Sequence, residues 1–172
     1  MKMSVEKVAG SADAILEQLE CFTKGLDDER FTAPSETVGG TIGMHMRHTL
    51  DHFRAALTTP ASEPIDYDHR ERGGTVESCC LSALSEMSTL RSMINDLGSE
   101  KLTESVTARV MLAGDGQTAD LESSRARELF FAMHHAIHHN AIIKAIAKEH
   151  GIECDECFGK APSTVNFEQS EA

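Results

Sequence analysis

The sequence predicts an all-α fold: a four-helix bundle with a long connection between its second and third helices and a candidate short hairpin before the fourth. Three observations predict it. Four segments of 17 to 27 residues repeat apolar side chains at intervals of three and four, which puts one apolar stripe on one face of each. Aromatic residues and prolines are few, with no Trp, one Tyr and four Pro. The 172 residues, 40% hydrophobic and 26% charged, suit one soluble domain long enough to bury a core. That domain spans 1–172, with a tail from about residue 160.

In the first helix Val8, Ala12, Ile15, Leu19, Phe22 and Leu26 share a face, and "DDERFTAPSETVGG" reads as a loop after it. The second helix is expected from near Thr41 to about Leu57, with Ile42, Met46, Leu50, Phe53 and Leu57 as its stripe. "TTPASEPIDYDHRERGG" follows, a polar connection of 17 residues rich in turn formers. In the third helix Val76, Cys80, Ala83, Met87, Leu90, Ile94 and Leu97 alternate four and three, and Gly98 is the expected C-terminal cap. "SVTARVML" and "TADLES" flank "AGDGQ", the pattern of a hairpin. Ser123 or Ser124 can cap the fourth helix, which is expected to run to His150 and stop at Gly151. The remainder, "IECDECFGKAPSTVNFEQSEA", reads as a packed strap ending in a disordered terminus.

The formal net charge of −12 argues against nucleic acid, because a protein that displaces counterions from phosphates needs an excess of Lys and Arg. It argues equally against an anionic membrane surface, and no apolar run approaches the length of a membrane span. The N-terminal segment carries acids and lacks a secretory-type apolar stretch. The five cysteines have no framework spacing, so they read as reduced thiols in a cytoplasmic protein. The lone "CDEC" at 154–157 is a weak signal, since Asp155 and Glu156 would raise the neighbouring thiol pKa values.

The informative feature is histidine. The chain has nine, and seven fall in "HMRHTLDH" (His45, His48, His52) and "HHAIHH" (His134, His135, His138, His139). At roughly 100° per residue the first three lie within about 60° of one another, away from the Ile42, Leu50, Leu57 stripe. In the fourth helix His135 and His139 share a face with Ala132, Ala136, Ile142, Ile143 and Ile146, plus Glu128, whereas His134 and His138 share theirs with Arg127, Lys148 and Glu149. The first pair has the more apolar surroundings, and the second offers an alternative register. Buried imidazoles need partners for both nitrogens. A divalent ion supplies one, taking the lone pair of each neutral ring while the other N–H finds an acceptor nearby. Spacing alone leaves open a chance pair, a surface patch or a pH-sensitive contact.

The segments "TIGMHMRHTLDHF", "YDHRER" with Glu77 seven residues after Arg70, "REL" followed by "HHAIHHNAII", and "FGKAPST" resemble the DinB-like superfamily of small metal-binding helical bundles, an uncharacterised bacterial subgroup in particular. The resemblance runs from about residue 40 to 165. It implies a long crossover between the second and third helices and a metal held by three histidines, which map onto His48, followed by Asp51, and onto His135 and His139, followed by Ala141. Zinc or nickel is the implied ion, with Fe(II) a further option for a histidine-rich site. His45, His52 and His138 are candidates for groups around the ligands, and His45 and His52 also for a fourth ligand or a proton carrier. Asp51, Glu128 and His52 are candidate catalytic groups, the two acids as orienting groups or general base or, more simply, as partners of a neighbouring Arg. Tyr67, Arg70 and Arg72 could line the site or pin the connection through acids such as Glu77.

The resemblance ranks metal-dependent thiol S-transfer from a low-molecular-weight thiol first and metal-dependent hydrolysis second, both needing an open coordination position. A non-catalytic metal-binding or stress-response module is the competing class, and a pH-responsive bundle without metal the third. A homodimer is expected from the resemblance, and Phe130, Met133, Ile137 and Ala141 form a second apolar sector on the fourth helix that must meet another helix or another subunit.

Overall fold

The computed structural model describes residues 2–69 and 73–171. In chain order the elements are α1 (Lys2–Thr23), α2 (Asp28–Thr32), α3 (Ile42–Thr58), β1 (Ile65–Asp66), a 3-10 turn (Thr75–Glu77), α4 (Cys80–Asn95), α5 (Ser99–Leu102), β2 (Ser105–Met111), β3 (Thr118–Ser124), α6 (Arg125–Glu149) and α7 (Pro162–Glu171). The four long helices close a ring of neighbours, α1 beside α4 and α6, and α3 beside α4 and α6. Their apolar stripes meet in one core in which Ala12, Leu16, Leu19, Ile42, Met46, Phe53, Met87, Leu129, Ile143 and Ile146 are fully buried. Each buried aliphatic of this kind contributes about 1.5–3 kcal/mol relative to exposure.

The helix starts follow capping chemistry. Thr41 accepts from the Met44 N–H at 3.0 Å and so opens α3, and Ser124 accepts from the Arg127 N–H at the start of α6. Gly43 has a different role. A Cβ there would lie 2.1 Å from the Glu77 carbonyl and 2.8 Å from Phe31, so the 3-10 turn rests on bare α3 backbone.

Several expectations are corrected. The fold is mainly helical rather than all-α, because the hairpin β2–β3 gains a third strand from the long connection. The order is β1-β2-β3, with Ile65 parallel to Ala108 and Ser105 opposite Ser124 in antiparallel register. Ile65, Tyr67 and Val106 form a small second core against Ala55 of α3 and Phe131 of α6. The expected loop after α1 holds α2, capped by Asp27 and anchored by fully buried Phe31. Gly98 precedes α5 as its N-cap, and α4 ends instead at Asp96. Residues 162–171 form α7, which buries nothing; Pro162 at its first position presets the helical φ and has no N–H to orphan. Met133 and Ile137 are buried within the chain itself, leaving Phe130 and Ala141 exposed. Among the described residues no helix is long and apolar enough to cross a membrane.

Two arginines lock the arrangement. Arg91 of α4 reaches Asp13 (2.8 Å), Glu17 (3.2 Å) and Glu20 (2.6 Å) of α1. Arg125, fully buried at the start of α6, donates to the carbonyls of Ala56 (2.7 Å) and Thr59 (2.8 Å) at the end of α3 and to Glu104 (2.9 Å) ahead of β2. The two histidine-bearing helices are therefore stitched together at one end by a charge that replaces its lost hydration with three acceptors.

Candidate metal centre

The histidine faces of α3 and α6 meet. His135 Nε2 lies 2.8 Å from His48 Nε2 and 3.1 Å from His139 Nε2, and His139 Nδ1 lies 3.0 Å from His45 Nδ1. His52 stacks on His135 with centroids 4.1 Å apart. Its Nδ1 is 2.9 Å from the His48 carbonyl. A carbonyl can only accept, so that nitrogen carries the hydrogen and the lone pair of neutral His52 sits on Nε2. His48, His52 and His135 each offer a nitrogen, and these three atoms all lie within 4.8 Å of one another.

Such a set suits a cation. Two imidazole lone pairs at 2.8 Å repel unless something positive lies between them. A proton on His135 Nε2 can serve His48 or His139 but not both well. Ligand nitrogens 2.0–2.1 Å from a tetrahedral ion stand about 3.3 Å apart, and neighbouring octahedral positions about 3 Å apart. The observed 2.8 and 3.1 Å separations need only small adjustments. A group of three neutral imidazoles near one another thus fits a divalent metal site. The rings beside this group favour the neutral form: His139 is pushed down to about 3, first by burial and then by the neighbouring His135, His45, His138 and His52, and burial lowers His45 as well.

The surroundings are organised by the second core. Tyr67, carried in by β1, stacks on His52 at 5.0 Å and 12°. Its hydroxyl donates to Glu128 at 2.8 Å, and Ser123 donates to the other Glu128 oxygen at 2.5 Å. Burial, with the Glu128 charge next, drives the Tyr67 phenol far above its ordinary pKa, so it stays protonated. Asp51 accepts from Arg47 at 3.0 Å, and Arg47 also reaches Glu77 at 2.7 Å. A cavity of about 500 Å³ opens beside Tyr67 and Asp51, with Arg47, Arg54, Asp66 and His69 on its walls.

The predicted site residues therefore distribute as follows. His48, His135 and His139 come to one place, and His52, considered chiefly as a neighbouring group, is the ring that completes the mutually close trio. His45 stands against His139 rather than against His48. His138 flanks His139 with centroids 5.2 Å apart, while His134 lies on the outer surface against Phe130. Glu128 supports Tyr67 rather than an imidazole, and Asp51 takes an Arg partner. Arg70 and Arg72 lie outside the described residues. The pairing of Asp51 with a neighbouring Arg was expected and is found with Arg47 at the i, i+4 interval, whereas sequence reasoning missed the Tyr67 stack and the reach of Arg47 to Glu77.

No known family model matches the chain. Over 102 residues, 59% of the chain, it is 35% identical to FK506-binding protein 5 of Rhizopus delemar, and the match spans 26% of that protein. The chain thus spans about a quarter of the length of that curated relative. Among solved structures it is similar to the crystal structure of a DinB-like protein from Bacillus subtilis, with a TM-score of 0.62 at 12% identity, covering 88% of this chain and 98% of that one. At that identity the likeness shows the fold, and the fold is DinB-like.

Proposed function

We propose that the chain is a divalent-metal-binding protein whose histidine centre performs a metal-dependent reaction on a small molecule, with S-transfer from a low-molecular-weight thiol as the leading activity and hydrolysis as the alternative. The observation that carries this reading is the convergence of nitrogens from His48, His52 and His135, with His139 beside them. His48 and His135 hold the ion in this reading, with the third and fourth nitrogens drawn from His52 and His139, and zinc, nickel or iron are the candidate occupants. A bound divalent ion would supply Lewis acidity and lower the pKa of a thiol or water that reaches it.

The chain's own residues set the rest. His45, His48 and His135 are only half-buried, so a small molecule can approach, unlike the closed setting of a structural metal site. Tyr67 holds the His52 ring in plane and, with its hydroxyl committed to Glu128, orients rather than donates. Arg47 and Arg54 on the cavity wall are paired to acids of the chain itself, so their charges are already met without a ligand. A cytoplasmic location and a homodimer belong to the same proposal.

One observation favours the non-catalytic reading. Four imidazoles around one point would saturate a tetrahedral ion and leave no open position, whereas an octahedral ion would keep two. The discriminating experiment loads the protein with zinc, nickel or iron and offers a panel of electrophiles with bacterial thiols, alongside ester and amide substrates. The proposal expects metal-dependent turnover with at least one ion, lost at least 100-fold in His135→Ala. Tight metal binding with no turnover across both panels would replace the enzyme with a binding module.

A further inference from the structure

The loop that leads into α3 bears on the centre in a way the ligand count does not reveal. Residues 35 to 40 are clamped from several directions. Ser35 donates its hydroxyl to Glu149 at 2.7 Å, and the Glu36 N–H donates to the same carboxylate at 2.9 Å. The Ser35 N–H donates to the Gly40 carbonyl at 2.9 Å, and the Ser35 oxygen accepts from the N–H groups of Thr37 and Val38 at 3.2 and 3.1 Å. Pro34 bridges Thr41, the residue that caps α3. The loop is thus tied to the last turn of α6 and to the first turn of α3. Within it Gly39 and Gly40 both adopt left-handed φ, +73° and +72°, a conformation that residues with a Cβ adopt only with strain.

That double turn places the Gly39 carbonyl 3.4 Å from His45 Nε2. The geometry then dictates where protons sit. The carbonyl accepts, so His45 Nε2 carries the hydrogen. The other nitrogen of neutral His45, Nδ1, is then the acceptor. It faces His139 Nδ1 at 3.0 Å, so His139 carries its hydrogen on Nδ1. The lone pair of His139 is left on Nε2, the atom that lies 3.1 Å from His135 Nε2. Gly40 serves the same chain through its backbone: a Cβ there would meet His45 Nε2 at an ordinary contact distance of 3.4 Å, but the φ of +72° strains any residue other than glycine.

We propose that His45 is a positioning residue for the histidine centre: held by the Gly39 carbonyl, it accepts the Nδ1–H of His139 and aims the His139 Nε2 lone pair at the nitrogens of His48, His52 and His135. An orienting acceptor behind a ligand imidazole is usually a carboxylate or a backbone carbonyl. Here a carbonyl does the task through an intervening imidazole. The inference rests on the metal reading for its consequence, a fourth nitrogen at the ion, but its tautomer claim stands on the protein alone.

The experiment has two arms. In the first, nitrogen-15 NMR of metal-free protein reads the tautomer of His139 directly. The expected result is Nδ1–H in the wild type, a mixture or the Nε2–H form in His45→Leu, and recovery in His45→Gln, whose amide oxygen can accept. In the second, chelator competition and the visible spectrum of the Co(II) form read the centre. His45→Leu and Gly40→Ala are expected to bind about 10–100-fold more weakly, with a changed Co(II) spectrum, and His45→Gln within a few fold of wild type. Wild-type binding with His45→Leu equal in affinity, spectrum and tautomer would overturn the proposal. No metal binding by the wild type would instead overturn the metal reading, leaving the NMR arm to decide the tautomer claim.

Discussion

His139 shows how a single residue registers its surroundings. It is buried, and four other imidazoles press on it, so its pKa is pushed down to about 3. In the unfolded chain it titrates near about 6.5. A group whose folded pKa is depressed contributes fully above its unfolded value and loses that contribution as pH falls through the folded one. Metal-free protein is therefore expected to lose stability progressively from about pH 6.5 downwards, as the unfolded state takes up a proton that folded His139 refuses. Urea midpoints measured across that window should fall more steeply for the wild type than for His139→Gln; parallel slopes would mean that the ring is not held neutral by the fold. The facing of His135 and His139 was legible in sequence because Ala132, Ala136 and Ile143 lie on the same side, and all three are fully buried. The role of His45 was not, since it depends on a carbonyl placed by two left-handed glycines, which no helical periodicity encodes.

At the scale of elements, the stripes of α3 and α4 read cleanly because amphipathic periodicity is a local property; Ile42, Met46, Leu50 and Phe53 face the core as their spacing requires. The start of α6 at Ser124 read equally well from its cap. What escaped was set by distant partners. Strand β1 is two residues long and exists only because β2 lies beside it, and α2 is held by one buried Phe31. Arg125 belongs to the same class: its position in a helix opening on "RAREL" suggests a solvated charge, yet it is fully buried and joins α3, α6 and the segment before β2. Replacing it by Met leaves the Ala56 and Thr59 carbonyls without their donor and Glu104 without its partner. Arg125→Met is expected to cost about 3 kcal/mol in denaturant unfolding and, because it loosens the α3–α6 junction, to weaken metal binding with no ligand touched. A loss under about 0.5 kcal/mol would show that the stitch is incidental.

For the whole molecule, the DinB-like fold explains why histidines 87 residues apart in sequence face each other. A ring of four helices sets α3 beside α6, and the small sheet caps that seam and delivers Tyr67 to His52. The core that forms the ring owes nothing to the histidines, so the centre spends fold stability, through crowded imidazoles, that an ion would return; a ligand present at 1,000 times its dissociation constant adds about 4 kcal/mol. The most direct test is elemental analysis of protein purified without a histidine tag, combined with X-ray absorption at the edge of the metal found. About one divalent ion per chain, coordinated by at least three imidazole nitrogens, is expected, with loss of that ion in both His48→Ala and His135→Ala. Protein that stays metal-free after exposure to zinc, nickel and iron, or variants that retain the ion undiminished, would contradict that expectation.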